Sequence, residues 1–248
     1  MCGISGYYGY KAPLKAVMIT LGQLERGTLG SGVAYTCNSK IKILKAPTHP
    51  ANFITRNLRR LRANSRMAIA HNRLPSIGKV AYENTHPFLA CDGSFALVHN
   101  GHALITNYRK QLKQHGHKIM GETDSEVICH LIEELRDQLG DLVTALEMLE
   151  SYGFSGAIAL LTRKHEIYAL RSHHYPLVIA EAENAYALAS TKLALKLAIG
   201  EPKNTFQPKP YQIIRINHKG IKTITEGKPE TPKNHNNLNK WLNYYYPL

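Results

Sequence analysis

Residues 155–190 read SGAIALLTRKHEIYALRSHHYPLVIAEAENAYALAS, and this stretch determines the class of fold. It divides into four short apolar runs, SGAIALLT, EIYALR, PLVIA and YALAS, separated by a few polar residues each. Connections this short indicate antiparallel strands, because a parallel pair needs a crossover of a dozen or more residues. A short helix, KLALKLAI, and two more strands, YQIIRI and IKTITE, follow.

The first 150 residues alternate between strand and helix patterns. Apolar residues at helical spacing predict helices at about 13–25 and 107–115, and from the capping sequence TDSE at 123–126 onward, where Asp124 or Ser125 can cap. A break at Gly140-Asp141 precedes a further helix. Strands are predicted at about 3–8, 33–35, 41–44, 67–71 and 95–99. The pattern predicts an α+β fold in which helices cover an antiparallel core.

Composition excludes several classes of protein. The 248 residues are 44% hydrophobic, which suits one large globular domain or two small ones. No run approaches the roughly 18 apolar residues of a membrane helix, and no basic leader precedes an apolar core, so we expect neither membrane insertion nor secretion. Four well-separated cysteines in a chain of this size favour reduced thiols and a cytoplasmic location.

The chain is basic, with a net charge of +13, and its densest cluster is RNLRRLRANSR at 56–66. Ile54, Leu58 and Leu61 recur at helical spacing, which predicts an amphipathic helix with a basic outer face. A solvated face is the favoured interpretation, and docking on an acidic surface is the alternative. A nucleic-acid partner is disfavoured, because no aromatic or groove-reading motif accompanies the arginines.

Cys2 is the first candidate for chemistry. Removal of Met1 would leave a thiol and a free α-amino group on one residue. The amine can then accept the thiol proton, directly or through a water, because a terminal amine titrates near ~7.7 to 8.0 and a thiol near ~8.5. On its own, a cysteine at position two is usually incidental.

Three other segments place polar groups at the ends of apolar strands or at a helix start. Asn100 and Gly101 could supply an amide and a backbone N–H to one oxyanion, although Asn-Gly is also a common turn. Arg73 offers a planar fork for a carboxylate, with the hydroxyl of Ser76 nearby. Asp124 could bind a substrate ammonium, although an ordinary helix cap is the favoured interpretation of this residue taken alone.

Taken together, the motifs resemble those of the class II glutamine amidotransferases, whose glutaminase domain has an N-terminal cysteine nucleophile. The similar segments are MCGI at 1–4, LERGTLGSGVA at 24–34, AHNRLPSIGK at 70–79, ENTHPF at 83–88, VHNG at 98–101, TDSEVICHLI at 123–132 and PLVIAEAENAYALASTKLAL at 176–195. Their order and approximate spacing agree with the family over about residues 2–215.

The resemblance implies a fold and a set of roles. The fold is the four-layer αββα sandwich of the N-terminal nucleophile hydrolases. The substrate is glutamine, with no organic cofactor or metal. The implied roles are nucleophile for Cys2, oxyanion donors for Asn100 and Gly101, α-carboxylate binding for Arg73 and Ser76, α-ammonium binding for Asp124, and support beside the cysteine for Arg26 and Gly27.

Some features depart from the familiar branches. Leu74 after Arg73 resembles the asparagine synthetases, whereas ENTHPF resembles the sugar-phosphate and phosphoribosyl branches. We expect a glutaminase domain over residues 1–226 and a polar, then aromatic tail over 227–248, in which residues 238–245 have amphipathic helical spacing. No synthase domain fits in the roughly thirty residues after the matched region.

These features predict a glutaminase subunit that forms a Cys2 thioester and passes ammonia to a synthase on another chain. The alternatives are a stand-alone glutaminase or other amide hydrolase, and a weakly active module that senses glutamine. Self-association into a homo-oligomer is left open. The 13 histidines lack paired CxxC or HExxH spacing, so the sequence predicts no metal site.

Overall fold

The computed structural model describes residues 1–103, 105 and 107–229 and contains two antiparallel β-sheets. Their strands are β1 (Gly3–Tyr8), β2 (Ser31–Cys37), β3 (Lys40–Ala46), β4 (Met67–Asn72), β5 (Phe88–Leu89), β6 (Phe95–Ala103), β7 (Phe154–Thr162), β8 (Ile167–Arg171), β9 (Val178–Ala182), β10 (Ala185–Ala189), β11 (Asn204–Phe206), β12 (Ile214–Asn217) and β13 (Gly220–Thr223). The helices are α1 (Ala12–Leu21), α2 (Pro50–Leu61), α3 (Tyr108–Gln114), α4 (Asp124–Leu139), α5 (Leu142–Met148) and α6 (Lys192–Ile199).

Strand order places the two ends of the described chain in different sheets. The seven-stranded sheet has the order β11-β9-β10-β1-β4-β2-β3, and the six-stranded sheet has the order β13-β12-β8-β7-β6-β5. Every pair is antiparallel, as the short connections of residues 155–190 predict. The first strand, β1, lies in the middle of its sheet between β10 and β4.

Three apolar layers hold the fold together. The middle layer lies between the sheets and joins residues such as Ile4 and Ile69 of one sheet to Val98 and Ala159 of the other. One outer layer packs α1, α2 and α6 on the seven-stranded sheet, and the other packs α3, α4 and α5 on the six-stranded sheet. The alternation of strand side chains supplies both faces, since each sheet is buried on two sides. The predicted αββα sandwich is therefore confirmed.

Helix boundaries differ from prediction in local detail. Helix α1 ends at Leu21, and Leu24–Arg26 form a separate 3₁₀ turn. Helix α4 is capped by Thr123, whose hydroxyl accepts the N–H of Glu126, so the expected caps Asp124 and Ser125 are wrong.

The basic cluster forms only part of the helix that was expected. Helix α2 ends at Leu61, before Arg62 and Arg66. Phe53 and Leu61 anchor it in the core, whereas Leu58, which the pattern assigns to the apolar face, is 38% exposed. The arginines of α2 are solvent-exposed, as a solvated face requires.

Two further points concern the ends of the domain. The tail helix expected at 238–245 lies outside the described residues. Across the described ranges, none of the helices combines the length and apolar character needed to cross a membrane.

Candidate active site at the end of the sandwich

Cys2 lies directly before β1 and is half-buried. Its Sγ lies 3.4 Å from the backbone nitrogen of Leu74, which donates to it, and 3.5 Å from the carbonyl oxygen of Leu74. Burial raises the pKa of the thiol above its usual value, although the Leu74 N–H and the positive charges of the chain terminus and Arg73 offset part of this effect. The thiol is therefore positioned, but it needs a base to become a nucleophile.

Arg26 and Gly27 bring the segment after β4 against Cys2. The Arg26 side chain is buried, and its Nε donates to the Cys2 carbonyl oxygen at 2.9 Å. A Cβ atom on Gly27 would lie 2.5 Å from the carbonyl carbon of Arg73, so only glycine permits this approach of the two backbones. The arginine-glycine pair thus fixes the distance between Cys2 and the Arg73–Leu74 peptide.

The Arg73 guanidinium is buried and binds the loop that follows it, residues 74–79. Its Nη1 donates to the Lys79 carbonyl at 2.7 Å, and its Nη2 donates to the carbonyls of Ile77 at 2.7 Å and Gly78 at 3.1 Å. Ser76 is exposed in the same loop. The fork predicted to hold a carboxylate is therefore engaged by backbone carbonyls, and a carboxylate ligand would have to displace some of them.

Asn100 and Gly101 lie on β6 rather than in a turn, which excludes the hairpin interpretation of this Asn-Gly pair. The Asn100 side chain is 1% exposed, and its Nδ2 has no hydrogen-bond partner among the described residues. A Cβ on Gly101 would lie 2.3 Å from the Ser155 carbonyl oxygen, so this position excludes any side chain. A buried amide donor without a partner is costly in a folded protein and often marks a functional site.

Asp124 is the first residue of α4 and is buried. Its Oδ2 accepts the Ala103 N–H at 2.9 Å, and its Oδ1 accepts the Ser125 N–H at 2.8 Å. Oδ1 also accepts the Ser125 hydroxyl at 3.4 Å, so the remaining acceptor capacity lies on Oδ2, which uses one of its two lone pairs. The carboxylate is thus fixed in position without being saturated.

These residues meet in one narrow cleft at the end of the sandwich. It is lined by Cys2, Arg73, Leu74, Ser76, Ile77, His86, His99, Gly101, Thr123, Asp124 and Ser125. Asn100, Arg26 and Gly27 do not line it; Asn100 is the chain neighbour of Gly101, and Arg26 bonds Cys2. The cavity volume is about 20 Å³, which is room for about one water in this arrangement of the side chains.

Three buried histidines, of which His86 and His99 line the cleft, were not among the residues predicted from sequence. The rings of His71 and His86 stack with centroids 3.8 Å apart, and His99 Nδ1 lies 2.9 Å from the Ser125 hydroxyl. Burial lowers the pKa of His71 to about 3 and of His99 to about 4, and it holds the pKa of His86 well below its usual value. The site is therefore backed by neutral imidazoles, a property that no local sequence pattern indicates.

Comparison with protein families now identifies the chain. The family model described as class II glutamine amidotransferases matches residues 16–193. This match spans more than half of the sequence. The chain belongs to the class II glutamine amidotransferases.

Individual relatives refine this placement. The glutamine–fructose-6-phosphate aminotransferase of Thermus thermophilus is 29% identical over 92% of this chain and 38% of its own length. The enzyme of the same name from Symbiobacterium thermophilum is 36% identical over 79% of this chain and 32% of its own length. The chain thus spans about two fifths or less of the length of these relatives.

Solved structures confirm the fold. A glutamine phosphoribosylpyrophosphate amidotransferase from B. subtilis has a TM-score of 0.76 at 24% identity, over 92% of this chain and 50% of its own. A class II glutamine aminotransferase domain protein from Silicibacter pomeroyi has a TM-score of 0.58 at 19% identity, over 93% of this chain and all of its own.

The three histidines predict an acid-sensitive fold. Below pH ~6.5 the histidines of the unfolded chain become protonated, whereas the buried rings of the folded chain stay neutral. The free energy of unfolding is therefore highest near neutral pH and decreases as the pH falls. Between pH 7.5 and 5.0 we expect His71 and His99 each to reduce the free energy of unfolding by about 2 kcal/mol, and His86 to reduce it further, as measured by urea denaturation. Carboxyl groups contribute little in this window, since their unfolded pKa values lie near ~4.

Two variants isolate the effect. His86→Leu removes one titrating ring whose nitrogens have no partner in the described part of the chain, and it should reduce the pH dependence. His218→Ala, in the exposed turn between β12 and β13, should leave it unchanged. Equal stability of the wild type at both pH values would contradict the assignment of neutral buried histidines.

Proposed function

We propose that this chain is a glutaminase that hydrolyses the side-chain amide of glutamine through a thioester on Cys2, releasing glutamate and ammonia. The observation that carries the proposal is the buried Asn100 amide: its Nδ2 is unpaired among the described residues, and its chain neighbour Gly101 lines the cleft that contains Cys2. An unpaired donor of this kind is suited to an oxyanion that exists only during the reaction.

The first step needs Met1 to be removed, so that the α-amino group belongs to Cys2. This amine takes the thiol proton, and the thiolate attacks the side-chain amide carbon of glutamine. The carbon–sulfur bond forms as the carbonyl π electrons move to oxygen, and the oxyanion accepts hydrogen bonds from Asn100 Nδ2 and the Gly101 N–H. Collapse of this intermediate breaks the carbon–nitrogen bond, and the ammonium group of Cys2 returns its proton to the leaving ammonia.

The second step hydrolyses the thioester. Water gives a proton to the same α-amine while its oxygen attacks the thioester carbonyl, and a second oxyanion forms in the same position. Collapse breaks the carbon–sulfur bond, so that glutamate leaves and the thiol regains its proton. Because burial raises the pKa of the Cys2 thiol, the thiol needs a nearby base to lose its proton, and the α-amine of the same residue supplies one.

Recognition of glutamine uses the groups at its α-carbon. The Arg73 fork and the Ser76 hydroxyl bind the α-carboxylate, and the remaining lone pair of Asp124 Oδ2 accepts the α-ammonium. Because Arg73 is bonded to the carbonyls of the 74–79 loop, substrate entry exchanges those bonds for bonds to the carboxylate. Binding of glutamine is thus coupled to movement of this loop.

We further propose that residues 1–226 act as one glutaminase unit, that residues 227–248 form a separate tail, and that the ammonia passes to a synthase on another chain. The strands from β1 to β13, which ends at Thr223, all belong to the two packed sheets, and this supports a single unit over residues 1–226. Support for a synthase is that relatives carry the matched region as about a third of a longer enzyme. A stand-alone glutaminase would reach its full rate of glutamine hydrolysis without a partner chain. The rate of the purified chain alone therefore distinguishes a stand-alone glutaminase from a subunit that serves a synthase.

Asn100→Ala should reduce turnover of glutamine by roughly 100- to 1,000-fold, because it removes one oxyanion donor worth about 2.7 to 4 kcal/mol. The measurement is the steady-state release of ammonia with purified protein. Asn64→Ala, an exposed position after α2, is the matched control and should keep the wild-type rate. A near-normal rate for Asn100→Ala would show that the oxyanion is stabilised elsewhere.

Arg73→Lys should raise KM for glutamine about tenfold or more with a smaller effect on kcat, because a point charge cannot replace a bidentate fork. Arg62→Lys, exposed at the end of α2, serves as the control. Thermal unfolding of both variants reports any damage to the 74–79 loop. An unchanged KM in a folded Arg73→Lys protein would exclude the carboxylate role.

A diazo-ketone analogue of norleucine should label this protein once, at Cys2, in chains that lack Met1. Peptide mass spectrometry locates the adduct, and Cys37, which is half-buried outside the cleft, is the internal control thiol. Labelling of Cys2 alone supports the nucleophile and its pocket together. Labelling of Cys37 to the same extent, or no adduct in chains that have lost Met1, would contradict the proposal.

A further inference from the structure

A second cluster of reactive side chains lies on the outer face of the six-stranded sheet, apart from the cleft. It contains Cys91 from the turn after β5, His117 from the connection between α3 and α4, and His130 and Glu133 from α4. One ligand-type atom of each residue lies within 4.8 Å of all the others. None of the four lines the cleft that contains Cys2.

Four distances between ligand atoms in this cluster lie within about 0.3 Å of the edges of a zinc coordination tetrahedron. Zinc bonds of ~2.0 to 2.3 Å to oxygen, nitrogen and sulfur place neighbouring ligand atoms about 3.3 to 3.7 Å apart. Here Glu133 Oε2 lies 3.1 Å from His117 Nδ1 and 3.0 Å from His130 Nδ1. Cys91 Sγ lies 3.5 Å from His130 Nδ1 and 3.8 Å from His117 Nδ1.

Neighbouring groups hydrogen-bond three of the four ligands, His117, Cys91 and Glu133, as the groups around the ligands do in metal sites. The second ring nitrogen of His117, Nε2, lies 2.9 Å from Glu134 Oε2, which gives the carboxylate–histidine arrangement that fixes the tautomer of a metal-binding imidazole. The Lys118 N–H donates to Cys91 Sγ at 3.3 Å, and the Asp92 N–H donates to Glu133 Oε1 at 3.1 Å. These donors stabilise a thiolate and a carboxylate.

Charge and burial also suit a divalent cation. A thiolate and a carboxylate carry two negative charges, so a divalent ion leaves the site neutral, and the two imidazoles bind as neutral ligands. His130 and Glu133 are buried, whereas Cys91 is exposed and provides a route for entry. Sulfur and imidazole ligands favour zinc over magnesium or calcium, which prefer oxygen.

We propose that Cys91, His117, His130 and Glu133 form a structural zinc site. Four protein ligands complete a tetrahedron and leave no position for substrate, which distinguishes structural from catalytic zinc. The site joins three segments that are distant in sequence, namely the β5–β6 turn, the α3–α4 connection and α4. It thereby holds the segment that leads into Asp124, at the first residue of α4, without taking part in the chemistry of Cys2.

Metal content of the full-length chain tests this proposal directly. After reconstitution with zinc and gel filtration, elemental mass spectrometry should find one zinc per chain. Replacement by Co²⁺ should give visible d–d bands of tetrahedral intensity and an ultraviolet thiolate-to-cobalt charge-transfer band. Removing zinc with a strong chelator should lower Tm by roughly 5 to 10 °C, because binding to the native state alone stabilises it.

Variants assign the ligands and separate this site from the glutaminase. Cys91→Ser should abolish the charge-transfer band, and His117→Ala should abolish stoichiometric zinc, whereas Cys37→Ser and His218→Ala should keep both. Glu134→Gln retains all four ligands and should weaken zinc affinity by about 10- to 100-fold. Labelling of Cys2 by the norleucine analogue is an independent readout of the glutamine pocket.

The proposal is overturned if the reconstituted wild type holds no stoichiometric zinc, or if Cys91→Ser keeps the charge-transfer band. It is also overturned if the chelator leaves Tm unchanged. Because the chelator and cobalt experiments use the wild-type chain, they decide the question even where a ligand variant fails to fold. If any of these results overturns the zinc site, the four residues form a hydrogen-bonded network without a metal.

Discussion

The approach of the Gly27 backbone to the Arg73–Leu74 peptide is the constraint on which the site depends. The absence of a side chain at Gly27 lets the 3₁₀ turn after α1 lie against the end of β4, while the neighbouring Arg26 bonds the carbonyl of Cys2. One contact thereby sets the positions of the thiol and of the segment that carries Arg73. The contact extends to the next residues: the Leu29 N–H donates to the Arg73 carbonyl oxygen, and the Arg73 N–H donates to the Gly30 carbonyl oxygen.

The site combines fixed and movable parts. Asp124 lies at the start of α4, and Asn100 and Gly101 lie on β6, so their positions follow from the packing of the sandwich. Arg73 instead bonds three carbonyls of the loop behind it, and the cleft holds about one water in this arrangement. If Asn100 and Gly101 act as the proposed oxyanion donors, this fixed pair beside the 74–79 loop would couple substrate binding to closure of the loop.

Much of the fold and of the candidate site could be predicted from sequence, for identifiable reasons. Apolar runs separated by short turns specify antiparallel pairing, and the motifs ending at Arg73, Gly101 and Asp124 each lie at the end of a strand or start of a helix. Because those ends meet at one edge of the sandwich, short motifs were sufficient to name residues that share a cleft.

Features that depend on distant segments could not be predicted in this way. The four residues of the proposed zinc site come from three segments of the chain. Only His130 and Glu133 share a helix face, so no spacing motif connects all four. The depressed pKa values of the buried histidines arise from packing of both sheets and have no local signal. Thr123 caps α4 because the Asp124 carboxylate turns to the Ala103 N–H, a tertiary contact.

The central place of β1 has a consequence for the order of folding. Its residues pair with β4 on one side and with β10 on the other, as in Ser5 with Ala70 and Ala189. β1 therefore cannot have both of its neighbouring strands before a segment more than 180 residues downstream has been synthesised. Such non-local pairing gives a high contact order and slow assembly, and it leaves β1 with only one of its two neighbouring strands until late in synthesis.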